Sequence, residues 1–170
     1  MGDTAHVKGL SDLQSFLDQL PAKLERNVMR SALRAGATKE LLPEAQANLM
    51  SAGAVQTGEL IAGLKVKTKV RGGTVTSSVV STGKHAYIAK WIEYGVAAHN
   101  IAAKKGGWLS FAGIFAKEVM HPGFKARPFL RPALDRSGGA AVVASAEYMK
   151  KRLATREGLD TSDVLIEGDS

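Results

Sequence analysis

Catalysis and metal binding need particular side chains at particular spacings, and this 170-residue chain offers few. Thr82-Gly83-Lys84-His85 carries the Gly-Lys step of a phosphate-binding loop. Ser78, however, stands where the leading glycine is required, and His85 where a hydroxyl would hold magnesium. His6, His85, His99 and His121 form no i, i+4 pair, and without cysteine or clustered carboxylates they predict no metal site. No Gly-x-Ser-x-Gly elbow is present, and the carboxylates of the middle of the chain, Glu93, Glu118 and Asp135, are far apart in sequence. The expectation is a non-enzymatic protein with no catalytic residue, cofactor, metal or small-molecule substrate. The lack of cysteine also removes disulfides.

Charge and proline carry more information. Residues 1–63 hold 6 Lys/Arg against 7 Asp/Glu, residues 64–136 hold 13 against 3, and residues 137–170 hold 4 against 6. A basic middle between near-neutral ends suits a surface that meets nucleic acid or an acidic protein, or a solvated positive face. Within it, Leu64, Val66, Thr68 and Val70 alternate with Lys65, Lys67, Lys69 and Arg71, which puts four cations on one face of a strand. No aromatics interleave with them, so contact with a nucleic-acid backbone, without base readout, is the most they imply. Further on, Pro128 and Pro132 bracket Phe129 and Leu130, just after His121-Pro122-Gly123. Paired prolines hold the backbone extended until a helix can open near Pro132, which predicts a docking strap.

The elements that would position these residues follow from periodicity. Leu10, Leu13, Leu17 and Leu20 predict a short helix over 11–20, with Ser11 and Gln14 as a capping box. Pro21 ends it or opens the next, a long amphipathic helix over 22–50 that Pro43 should kink or break. Thr57 is a plausible helix cap before Gly58-Glu59-Leu60. Gly72-Gly73 then joins the basic strand to a return strand over 74–81. Tyr87, Trp91 and Tyr94 recur at helical spacing beside Ile88 and Ile92, with Gly95 as C-cap, and predict a short helix whose aromatics face the core. Residues 96–127 form a hairpin extended from the body, with Lys104-Lys105-Gly106-Gly107 inside it. The last helix should run from about 132 to 153, weakest at Gly138-Gly139, where each glycine costs about 1 kcal/mol relative to alanine.

The expected whole is one α+β domain over 1–158, in which the long N-terminal helix and the C-terminal helix cover a small antiparallel twisted sheet. An acidic segment, 159–170, should be mobile until it meets a partner. No apolar run reaches the roughly 18 residues of a membrane span. The N-terminus, with Asp3, His6 and Lys8, lacks the apolar stretch of a signal peptide, so a soluble protein of the host cytoplasm during assembly is expected.

Several stretches together resemble the tail-completion, or head–tail joining, proteins of long-tailed double-stranded DNA bacteriophages. They are Val7-Lys8-Gly9-Leu10, Thr57-Gly58-Glu59-Leu60, the Tyr87 to Gly95 segment, His121-Pro122-Gly123, and Pro128-Phe129-Leu130-Arg131-Pro132-Ala133. The resemblance covers about 7–150. It departs from the family pattern at Ala54-Val55-Gln56, where a proline usually precedes the Thr-Gly pair, and at Val96, where threonine is common.

The resemblance implies a structural virion protein of the neck, a ring of six copies that completes the tail and joins it to the head. Partners would be the head connector or stopper protein and the tail tube or tail terminator, with double-stranded DNA passing through. His121, Pro122, Gly123, Pro128, Phe129, Leu130 and Pro132 are then interface candidates. Tyr87, Trp91, Glu93, Tyr94 and Gly95 are structural anchors, and Lys65, Lys67, Lys69 and Arg71 meet DNA or an acidic partner. The alternative is a basic, sequence-independent nucleic-acid-binding module.

Overall fold

The structure, a computed structural model, describes residues 7–53, 58–111 and 113–168. Thr57 and the Ala54-Val55-Gln56 stretch lie outside the described residues, as does His6.

After strand β1 (Val7–Lys8), helix α1 (Leu10–Leu17) opens on Gly9 rather than on the Ser11–Gln14 capping box. Gln14 Nε2 donates instead to Asp18 Oδ1 (2.7 Å), and Ser11 Oγ lies beside Asp12, so neither side chain caps the helix. Pro21 opens α2 (Ala22–Gly36), accepting from the N–H groups of Leu24 and Glu25. The predicted kink at Pro43 is replaced by a change of helical pitch. The chain winds as a π-helix over Ala37–Leu41 and resumes as α3 (Leu42–Ser51), with Pro43 in the first turn. A proline lacks a donor and crowds the carbonyl four residues back; one wide turn ahead of it relieves both problems without breaking the helical path.

A turn of helix, α4 (Glu59–Ala62), leads into β2 (Leu64–Arg71), which pairs antiparallel with β3 (Thr74–Ser81) across the two-residue Gly72-Gly73 turn. Helix α5 (Ala86–Tyr94) follows. Then comes the arm. An isolated Val96–Phe124 bridge begins it, β4 (His99–Ala102) pairs with β7 (Glu118–His121), and β5 (Leu109–Phe111) pairs with β6 (Ile114–Ala116). The outgoing strand is interrupted by 103–108, whereas the returning one breaks only at Lys117, whose Nζ sits 5.6 Å from the Trp108 ring centre.

Helix α6 (Leu130–Arg156) is 27 residues long, about 40 Å, and passes Gly138-Gly139 without a break. It is the spine of the molecule. Its first turn enters one core, where Phe129 and Ala133 meet Ala45, Leu49, Leu60, Leu64, Ala89 and Ile92. Its C-terminal half enters a second, where Ala146, Met149 and Leu153 meet Leu13, Leu17, Val28 and Ala32. Between the two, α6 crosses α2 and the π turn through small side chains. A Cβ on Gly36 would collide with Ser145 Oγ and the Ala141 carbonyl oxygen.

Two expectations change here. The fold is α+β, yet among the described residues the strands make four separate two-stranded ladders rather than one sheet. The β2–β3 hairpin lies on α2, and α6 packs chiefly on α2 and the π turn. The described part of the acidic segment, 159–168, packs on the body. Val164 and Thr161 are buried, Leu159 and Ile166 pack on the second core, and Lys150 Nζ donates to the Val164 carbonyl. Ser162 donates from its N–H and hydroxyl to Asp160, holding that carboxyl below its usual range. The final strand β8 (Glu167–Gly168) pairs with β1, where Lys8 Nζ meets Glu167 at 3.2 Å.

The helix crossing gives a paired test. Gly36→Ala should destabilise the protein by about 1–2 kcal/mol, because overpacking against a fixed carbonyl outweighs the gain in helix propensity. Gly138→Ala, whose Cβ would meet only Leu134 Cδ1 at 3.6 Å, should stabilise it by about 0.5–1 kcal/mol. Urea denaturation followed by circular dichroism reads both.

Candidate functional site

Helix α5 carries the predicted anchors, and its nine residues are apolar on both faces, so the direction it faces is decided by packing. Ala89 and Ile92 are buried and Ile88 is partly so. Tyr87 (52% exposed), Trp91 (47%) and Tyr94 (74%) point outward, which reverses the expected orientation of the aromatics. Tyr87 and Trp91 meet edge to face at 4.9 Å on that outer surface.

The anchor of the five is Glu93, only 9% exposed. The Phe129 N–H donates to its Oε2 (2.8 Å), the Leu130 N–H to Oε2 (2.9 Å) and the Arg131 N–H to Oε1 (3.2 Å). These are the N-cap and first two residues of α6, whose amides have no partner inside their own helix. The next residue is Pro132, which has no N–H to satisfy. One residue earlier is Pro128, likewise without a donor, and the Arg127 N–H donates to the Ile92 carbonyl at 2.8 Å. Every backbone donor from 127 to 132 is therefore either taken by Ile92 or Glu93 or absent. The carboxylate also sits at the positive end of the α6 dipole.

The proline-bracketed segment is thus a complement to α5 of the same subunit. Phe129, expected at a partner interface, is 0% exposed and lies in its own core. Asn48 Nδ2 donates to its carbonyl (3.3 Å), and Arg127 Nη1 to the Ala52 carbonyl (3.0 Å), so α3 joins the clamp. Leu130 packs partly on the same core, Pro132 is half-buried, and Pro128 stays exposed. Gly95 turns the chain away at φ 74°, and a Cβ there would stand 2.7 Å from the Ala126 nitrogen, so the two roots of the arm touch.

His121-Pro122-Gly123 forms a turn at the arm's base. His121 Nδ1 accepts from the Gly123 N–H (3.0 Å), and its ring lies 5.0 Å from that of His99 across the ladder. Pro122 is exposed, while His121 and Gly123 are half-buried. Beyond the base, Ile101, Trp108, Ile114, Phe115 (67% exposed) and Met120 all leave apolar surface uncovered. Lys65, Lys67, Lys69 and Arg71 are exposed together along β2, as their alternation predicts. His85 Nε2 lies 3.4 Å from Glu59, and no three His, Cys, Asp or Glu side chains converge on a metal position among the described residues. Nor is any helix among the described residues long and apolar enough to cross a membrane.

The family model described as "Bacteriophage HK97-gp10, putative tail-component" matches residues 11–95, half of the chain, from α1 to the glycine that ends α5. The chain belongs to that family. The arm, the segment that answers Glu93 and the α6 spine lie beyond the matched region. No curated protein and no solved structure matches the chain.

Removing the Glu93 carboxylate should leave one buried and two partly buried amide donors without their acceptor. Glu93→Ala is expected to cost about 3 kcal/mol, a fall in Tm of roughly 6–12 °C for a chain of this size. Glu93→Gln, which keeps one acceptor oxygen, should lose less than half as much. A thermal melt of the two variants beside the parent checks the order.

Proposed function

We propose that this member of the HK97 gp10-like family of phage tail components is a non-enzymatic protein of the head–tail neck, where a ring of copies completes the tail and joins it to the head connector. The observation that carries the reading is the projecting arm, on which Ile101, Trp108, Ile114, Phe115 and Met120 leave apolar surface exposed. A closed ring built from one kind of subunit needs each copy to present one surface and receive a neighbour on another. The arm tip around Trp108 and Phe115 is suited to the first task, and the outward aromatic face of α5 to the second. Six copies, with a connector or stopper protein on the head side and a tube or terminator protein on the tail side, follow from the family resemblance. The protein would be made in the host cytoplasm and end in the virion neck.

Deleting the gene and imaging the lysate tests the role. Filled heads and detached tails are expected; normal infectious particles would contradict it. Phe115→Asp, on the exposed arm tip, should leave the stability of the isolated protein within about 0.5 kcal/mol and yet fail to restore joined particles in complementation.

A further inference from the structure

The β2–β3 ribbon has two unlike faces. Val66, Val75 and Val79 are half-buried on the side that lies on α2. The opposite side carries the four cations on β2 and, directly across the ladder, hydroxyls on β3. Lys67 pairs with Ser78, Lys69 with Thr76, and Arg71 with Thr74; Lys65 pairs with Val80. Both rows are exposed up to Val80, which is partly covered. Among the described residues no carboxylate lies within ion-pair distance of any of the four cations. Same-face residues on a strand are about 6.8 Å apart, so the row of charge extends about 20 Å.

We propose that this face binds the phosphate backbone of duplex DNA, with the lysines and Arg71 on phosphate oxygens and the hydroxyls of Thr74, Thr76 and Ser78 donating beside them. A DNA strand advances about 3.4 Å per phosphate along the axis, so cations two residues apart meet about every second phosphate. Serine and threonine hydroxyls are ordinary phosphate donors. The rows contain no aromatic ring to stack on bases, so the contact does not select single strands, and cations and hydroxyls placed on phosphates carry no sequence information. An acidic peptide is served less well. Protein partners bind chiefly through aromatic or apolar anchors seated in pockets, and Val80 is the one apolar residue on this face. The inference rests on the chemistry of the ribbon alone and does not require the ring.

The test uses the full chain and a labelled 20-bp duplex of arbitrary sequence, titrated by fluorescence anisotropy between 50 and 200 mM NaCl. With four phosphates neutralised, the log–log salt slope should be about −3.6, a loss of about 150-fold in affinity over that range. Combining Lys65→Thr, Lys67→Thr and Lys69→Thr should bring the slope to about −0.9, and Arg71→Thr alone to about −2.7. Threonine suits a strand, and a circular-dichroism melt confirms that the variants fold. Lys104→Gln with Lys117→Gln, on the arm, should leave the slope unchanged. Three results would overturn the proposal: no binding at 50 mM salt, a slope indifferent to the ribbon variants, or tighter binding to a glutamate-rich peptide than to the duplex. None of them bears on whether heads and tails join, which the lysate images decide separately.

Discussion

One carboxylate organises the molecule. Glu93 closes α5 onto the start of α6, and the residues around it are chosen so that no buried amide is left over: Arg127 reaches Ile92, Phe129 to Arg131 reach Glu93, and prolines occupy 128 and 132. A buried polar group without a partner costs about 1–3 kcal/mol, so a segment with six consecutive positions accounted for is tightly specified. Because residues 93 and 129–131 are held together, everything between them must leave and return at one place. The Val96–Phe124 bridge and the contact of Gly95 with Ala126 close that gate. A ribbon projecting from the body is the geometric consequence.

The clamp also fixes where the spine begins. From its first turn α6 belongs to the core built by α3, α4, α5 and β2, and some 20 residues later to the core built by α1 and α2. Ala141, Ala144 and Ser145 let it approach Gly36 and Ala37 closely in between. The π turn before Pro43 serves the same arrangement, since it carries the chain from α2 into α3 without losing contact with α6. A two-core body holding an arm by its two roots is a sound mount for the contact that the proposed role assigns to that arm.

Much of this was legible in the sequence where the signal is local. The alternation of Lys65 to Arg71, the Gly72-Gly73 turn and the apolar stripe of 22–50 each rest on neighbours a few residues apart; the first two take the expected form, and the stripe forms helix with a π turn at 37–41 in place of the kink. The errors came where long-range packing decides. In α5 two stripes compete, and the heavier one, Tyr87, Trp91 and Tyr94, loses to Ala89 and Ile92 because the close approach of Phe129 favours small and aliphatic partners. The prolines around Phe129 signalled stiffness, whereas their missing N–H groups matter more, and only the position of Glu93 reveals that. The acidic end looked free because its anchors, Leu159, Val164 and Ile166, are few and widely spaced; their pocket is made by α1, α2 and α6. Membership of a phage tail family was legible too, from the order of weak motifs over about 7–150, of which the family match covers 11–95.

Native-state hydrogen exchange read amide by amide tests the organising role of Glu93 most directly. The amides of Phe129, Leu130 and Arg131 should exchange only on global unfolding, as slowly as those of Ala146 and Met149 deep in α6, while the arm from 99 to 121 exchanges by faster local opening. Rapid exchange at 129–131 with the rest of α6 still protected would mean that the clamp is a weak cap, and that something else holds the arm to the body.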